Sequence, residues 1–227
     1  MKKTYRFYGM TLMAVFMAIG TPACDGDDEE ESGNGEKDVR IEKVIPSDIR
    51  KKMQKYMAIY DGVNPPNVEG CFVMSPAVNV YDSTNDYDPG EAADDAYMRF
   101  YNQNTSNNTV SYEDYNDGNT NEATGAFISG EDNNFSVYFD TNGKSGSVRF
   151  KLALVVSGTK ASDGIRNIYY AFVMTEKNSN GDDDLIEVGD FRVFKDKDGV
   201  ASPASWTFST RAILDEITTK GLLKKNK

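Results

Sequence analysis

Two cysteines, 36 acidic residues, 13 tyrosines and no histidine define the chemistry open to this chain of 227 residues. Without an imidazole, Ser-His-Asp and Cys-His nucleophilic centres and histidine-ligated zinc sites are excluded. Cys71 opens the apolar run Cys71-Phe72-Val73-Met74, where a free thiol behaves as a small buried hydrophobe. The acids gather in three loops: Asp82, Asp86 and Asp88; Glu113, Asp114 and Asp117; Asp182, Asp183 and Asp184. Calcium favours oxygen-rich loops. Yet Asp114-Tyr115-Asn116-Asp117-Gly118 misses the spacing of an EF-hand loop, and Asp196-Lys197-Asp198-Gly199 continues as Val-Ala-Ser without further ligands. Solvated turns account for these acids more simply, so no metal and no cofactor is expected. Carboxylate pairs for glycoside hydrolysis are defined by their separation in space, and no pair here stands on a motif. The chain is expected not to be an enzyme.

Tyrosines offer a different chemistry. Tyr81, Tyr87, Tyr97, Tyr101, Tyr112 and Tyr115 crowd one stretch, interleaved with Asn and Asp. Aromatic faces beside amides and carboxylates bind sugar rings by stacking and hydrogen bonding. Tyrosine also suits a strand for its own sake, apolar in body and polar at its tip, so a plain sheet explains the same composition. Asp82-Ser83-Thr84 resembles the acceptor motif of the O-glycosylation system of the Bacteroidetes, which makes Ser83 its candidate hydroxyl.

The first residues carry Lys2, Lys3 and Arg6, then an apolar run from Met10 to Ile19, then Gly20-Thr21-Pro22-Ala23. That order of basic, apolar and small residues is a secretory signal. The apolar run falls well short of the roughly 20 residues that span a bilayer, so residues 1–23 are expected to be removed. Cys24 follows at the cleavage point, and Asp25 to Glu31 then hold six acids. The arrangement resembles a bacterial lipoprotein signal, and the acidic tract resembles the export signal of surface lipoproteins of the Bacteroidetes. The resemblance implies that Cys24 carries the lipid. It also implies that the protein belongs to the outer membrane, exposed at the cell surface or, alternatively, facing the periplasm. Residues 24–40 read as a flexible acidic tether, since such a stretch buries no apolar area, and 41–227 as a single β-rich domain. A net charge of −11 argues against nucleic acid and against electrostatic attachment to anionic lipid. The membrane is then a partner through the lipid anchor alone.

The elements behind these residues follow from periodicity. Ser47 or Asp48 caps a helix whose Ile49, Met53, Tyr56, Met57 and Tyr60 share one face. Beyond Gly70 the period becomes two. Phe135, Val137 and Phe139, and then Phe150, Leu152 and Leu154, alternate with other residues, as strands with one buried face do. Asn142-Gly143 between them is a hairpin signal. Further strands are expected at 71–74, 78–82, 97–103, 109–115, 123–129, 166–175, 185–194 and 205–209. Asp117-Gly118, Asp163-Gly164, Asn180-Gly181 and Asp198-Gly199 supply turns. Within 185–194 the apolar parity switches at Gly189, as at a bulge or corner. Residues 211–217 suit a short helix before a basic tail.

The fold expected is all-β: an antiparallel meander closing into a barrel behind one amphipathic helix, with a β-sandwich as the alternative. A leading helix followed by Gly70-Cys71-Phe72 resembles the start of the lipocalin-like (calycin) barrels, with Phe72 at their tryptophan position. The resemblance implies a cup for a small apolar ligand, lined by Phe135, Val137, Phe139, Phe150, Leu152 and Leu154, although the same residues can fill a solid core. The function expected is therefore binding of a small hydrophobic ligand or a glycan. The alternative is a structural or accessory protein that contacts another envelope protein, and a carboxylate-based glycoside hydrolase comes last.

Overall fold

Alternation of apolar and polar side chains yields long antiparallel strands here. The computed structural model describes residues 40–116, 119–145, 147–179 and 184–207, all within the unit Gly35–Lys227. β4 (Ala96–Asn104), β5 (Thr109–Asn116), β6 (Asn119–Glu131), β7 (Asn134–Ser145), β8 (Val148–Ala161) and β9 (Gly164–Lys177) follow one another as antiparallel neighbours. β1 (Gly70–Met74) pairs with β4, and β11 (Val200–Pro203) pairs with both β1 and the start of β9. These eight strands close into a ring. β9 is long enough for a further neighbour. Its Ile165 and Arg166 face β11, while Tyr169 to Val173 pair with β10 (Phe191–Asp196). β10 then carries β2 (Ala77–Asp82) and β3 (Ala92–Ala93) away from the ring.

The expected antiparallel all-β class is present. The sandwich alternative is not, because the eleven strands form one sheet. A simple meander is also too plain a description. Pairings β1–β4, β2–β10 and β11–β1 join strands that do not succeed one another.

Inward residues form one apolar cluster. Phe135, Val137, Phe139, Phe150, Leu152 and Leu154 belong to it, as their alternation indicates. Aromatic rings meet inside it: Phe100 lies 5.2 Å from Tyr112 and 6.1 Å from Phe135, and Tyr112 lies 4.5 Å from Phe139. A second cluster lies on the outer surface of β6 to β10. There Phe127, Tyr138, Val155, Val173, Phe191 and Val193 pack against Ile41, Ile45, Ile49, Met53 and Met57. Burying each such Ile or Met side chain contributes about 1.5–3 kcal/mol, which fixes the helical segment on the sheet.

That segment is two helices rather than one. α1 (Arg40–Val44) precedes α2 (Ser47–Met53). Ile41 and Ile45 extend the stripe of Ile49 and Met53 upstream at four-residue spacing, but Pro46 removes a backbone donor and disfavours helix before it. Pro46 itself (φ −55, ψ 140) occupies the N-cap of α2, with no side-chain cap. The expected cap at Ser47 or Asp48 is therefore displaced by one or two residues.

After α2 the chain crosses the sheet as a strap held by three serines. Ser129, Ser136 and Ser157 stand directly opposite one another on β6, β7 and β8. Ser129 Oγ donates to Tyr60 O at 2.6 Å, Tyr60 N–H donates to Ser136 Oγ at 2.8 Å, and Ser157 Oγ donates to Ala58 O at 2.5 Å. All three serines are fully buried. The row supplies partners for strap peptide groups that have no strand neighbour, which a buried backbone requires. Just beyond, the strap meets β6 at Gly130 (φ +155), where a Cβ would lie 2.1 Å from Asn134 O. Replacing Ser136 by Ala removes the acceptor of the Tyr60 amide, and a loss of about 1–3 kcal/mol is expected in urea unfolding. An unchanged midpoint would mean that the strap does not depend on the row.

Four sequence expectations are corrected. Asn142-Gly143 is not the hairpin turn: Asn142 pairs with Lys151 and Gly143 with Phe150, so β7 runs on to Ser145. Gly143 is required by close approach, since a Cβ there would lie 2.2 Å from the Phe150 ring. The parity break in 185–194 marks a loop before a strand. Leu185 and Ile186 join the inner cluster, Gly189 (φ +94) turns the chain, and β10 starts at Phe191, whose side chain joins the outer cluster. The last described strand is β11, with residues 204–207 irregular, while 208–209 and the expected helix at 211–217 lie outside the described residues. Cys71 is half-buried rather than buried, because Phe72 and Met74 take the inward parity of β1. Asp163-Gly164 and Asp198-Gly199 do lie at chain reversals between β8 and β9 and between β10 and β11. Asp117-Gly118 and Asn180-Gly181 lie outside the described residues.

Candidate binding face

The helices and strap occupy the outer surface of β6 to β10, and Tyr97, Tyr101 and Tyr115 stand on the other arc of the ring, on β4 and β5. Along β4, Met98 and Phe100 are buried while Tyr97, Arg99 and Tyr101 are half-buried. Successive strand residues point to opposite faces, so Tyr97, Arg99 and Tyr101 share the outer one. Register extends this face sideways. Tyr97 stands opposite Tyr115, Arg99 opposite Glu113 and Tyr101 opposite Ser111 on β5. On β1, Val73 stands opposite Tyr97 and Cys71 opposite Arg99.

The centre of the face is a braced ion pair. Arg99 Cζ lies 4.5 Å from the Tyr101 ring centroid. Tyr101 Oη donates to Glu113 Oε1 at 2.9 Å, and Arg99 Nη1 lies 3.5 Å from Glu113 Oε2. The two partners differ in access to water: the Arg99 side chain is 38% exposed and that of Glu113 only 7%. The anion is tucked into the sheet, held by a phenol, and the cation is the member that reaches solvent.

The six tyrosines therefore divide. Tyr97, Tyr101 and Tyr115 share this face. Tyr112 points into the ring, fully buried, and its hydroxyl donates to Asp114 Oδ2 at 3.0 Å. Desolvation, then the Asp114 charge, pushes the Tyr112 phenol well above its ordinary range. Desolvation raises Tyr170 in the same way, although that residue as a whole is half-exposed, and Asp114 again adds to the shift. Tyr81 lies on β2, stacked at 3.7 Å on Tyr56 of the strap. Desolvation raises its phenol, and the hydrogen bond and charge of Tyr56 add to the rise. Tyr87 lies in the loop after β2, with the Arg192 guanidinium 4.8 Å from its ring centroid.

The acidic loops are put to structural use. Asp82 and Asp86 bracket the buried Arg192, at 3.1 and 3.2 Å. Glu113 and Asp114 fall on opposite faces of β5, so they do not converge, and Asp117, Asp182 and Asp183 lie outside the described residues. The Ser83 hydroxyl is engaged twice: it donates to Asp190 Oδ1 at 2.9 Å and accepts from Phe191 N–H at 3.0 Å. Cys24 lies outside the described residues.

No family model, curated protein or solved structure matches this chain. The face must speak for itself. Sequence reasoning found its tyrosines and placed Glu113 only in an acidic loop, and it missed Arg99. Half of the missing signal was present, because the parity of Tyr97-Met98-Arg99-Phe100-Tyr101 already sets Arg99 between two tyrosines. The other half, the pairing of Arg99 with Glu113, depends on the register of β4 against β5.

Proposed function

We propose that this protein is a non-catalytic envelope lipoprotein, held to the outer membrane through Cys24 and displayed at the cell surface. Its ring of strands is a lipocalin-like barrel that binds glycan on the outer surface of β1, β4 and β5. The observation that carries the reading is the shared face of Tyr97, Arg99, Tyr101 and Tyr115, half-exposed on the arc away from the helices. Rings presented beside an ion pair offer a sugar both a stacking surface and polar partners. The aromatic contacts inside the ring favour this outer surface over the interior as the binding place, and so favour a glycan over a small apolar ligand.

Two experiments test the proposal. The whole lipidated protein in detergent, screened against immobilised glycans, is expected to bind a subset. The double variant Tyr97→Ala/Tyr115→Ala should lose about tenfold or more in affinity, which corresponds to 1.4 kcal/mol, with an unchanged circular dichroism spectrum. Binding that survives the double variant would remove this face from the proposal. Radiolabelled palmitate should enter the wild-type protein and not Cys24→Ala, and equal labelling of both would remove the lipid anchor.

A further inference from the structure

Resting on that reading, we infer that the glycan bound by the β1–β4–β5 face is acidic, with its anionic group received by Arg99. Tyr97, Arg99 and Tyr101 are spaced two residues apart, so the stripe runs about 13 Å along β4 with the cation at its middle. The guanidinium is fixed in place, with the Tyr101 ring 4.5 Å away and the Glu113 carboxylate to one side. Its donors are not consumed by that support. Charge-assisted N–H···O bonds measure about 2.7–2.9 Å, whereas the nearest Glu113 oxygen is 3.5 Å away. Arg99 donates no hydrogen bond to any described residue. A guanidinium carries five N–H donors in a planar fork that matches a carboxylate or an oxyanion ester two bonds at a time. Burial of Glu113 and exposure of Arg99 leave the positive partner as the one a ligand meets. Tyr97 and Tyr115, directly opposite each other beside it, supply the stacking surface for the sugar that bears the charge.

A uronate carboxylate and a sulfate ester present this same chemistry. The whole lipidated protein in detergent is therefore titrated calorimetrically with two matched pairs: oligogalacturonate against its methyl ester, and a sulfated galactan oligosaccharide against its desulfated form. At least one charged member should bind about tenfold or more tightly than its neutral match, and the pair that shows the difference identifies the group. Arg99→Gln should erase the difference, lowering the affinity for the charged member to that for its neutral match. Arg99→Lys, which keeps a cation beside Glu113 and guards against misfolding, should retain only part of it, because an ammonium lacks the fork. Equal binding of charged and neutral members, both lost in Tyr97→Ala/Tyr115→Ala, would overturn the acidic ligand and leave glycan binding intact. A charge preference that persists in Arg99→Gln would likewise overturn the assignment to Arg99. No binding of any member, together with a blank immobilised screen, would overturn both readings.

Discussion

Asp82→Ala is expected to destabilise the protein by about 3–5 kcal/mol, the range for removing one partner of a buried ion pair. Folded proteins of ordinary size are stable by only about 5–15 kcal/mol, so the variant should unfold at a much lower urea concentration. The size of the effect comes from Arg192. Its side chain and that of Asp82 are both fully inaccessible, with Nε 3.1 Å from Oδ2. Loss of the carboxylate leaves a guanidinium in the interior with part of its charge compensation removed, although Asp86 stays at 3.2 Å. Asp82 also organises the loop that follows β2. Its Oδ1 accepts from the Thr84 amide, and its Oδ2 accepts from the Asp86 and Tyr87 amides. Adding Arg192→Met should therefore recover part of the loss, by removing the stranded charge, but not the share that belongs to the loop amides. A cost below about 1 kcal/mol for Asp82→Ala would contradict this account and mean that the other partners of Arg192, Asp86 among them, satisfy it without Asp82.

Phe100→Ala is expected to cost about 3–5 kcal/mol as well, by the loss of buried area together with the cavity left behind. Phe100 is 1% exposed and stands on β4, yet its ring meets Phe72 of β1, Tyr112 of β5 and Phe135 of β7. It therefore bridges the interior of the ring. Aromatic pairs add about 0.5–1.5 kcal/mol beyond their area, so Phe100→Leu should fall between Ala and wild type. Urea unfolding with an unchanged slope is the measurement. A loss well under 2 kcal/mol would mean that the interior is loosely filled around this ring, and would return the interior to consideration as a ligand chamber.

These two residues also mark where sequence reasoning succeeded and where it stopped. Phe100 was legible as an apolar residue of an alternating strand. That it reaches β1 and β7 was not, because alternation gives the face of a residue and not its neighbours across a ring. Asp82 read as a member of a solvated acidic loop. Its role as counter-ion became visible only when β10 brought Arg192, more than a hundred residues later in the chain, directly opposite it. The serine row behaves alike. Ser129, Ser136 and Ser157 sit as small polar residues among apolar strand neighbours, a local anomaly, and their common purpose emerges from register. Asn142-Gly143 is the reverse case, a local hairpin preference overruled because continued pairing with β8 and the Phe150 ring fills the space a turn would leave.

The sequence by itself determined the all-β class, the inward residues of β7 and β8, the amphipathic stripe through Ile49 and Met53, and the exclusion of histidine chemistry. Each of these is a property of period or composition, set by short stretches of chain. Tertiary structure decided the closure of the ring through β11, the separation of six tyrosines into three that share a face and three that do not, and the partnership of Arg99 with Glu113. Those depend on which strands lie side by side and in what register. A shift of one residue exchanges every inward and outward side chain, so no local pattern fixes them.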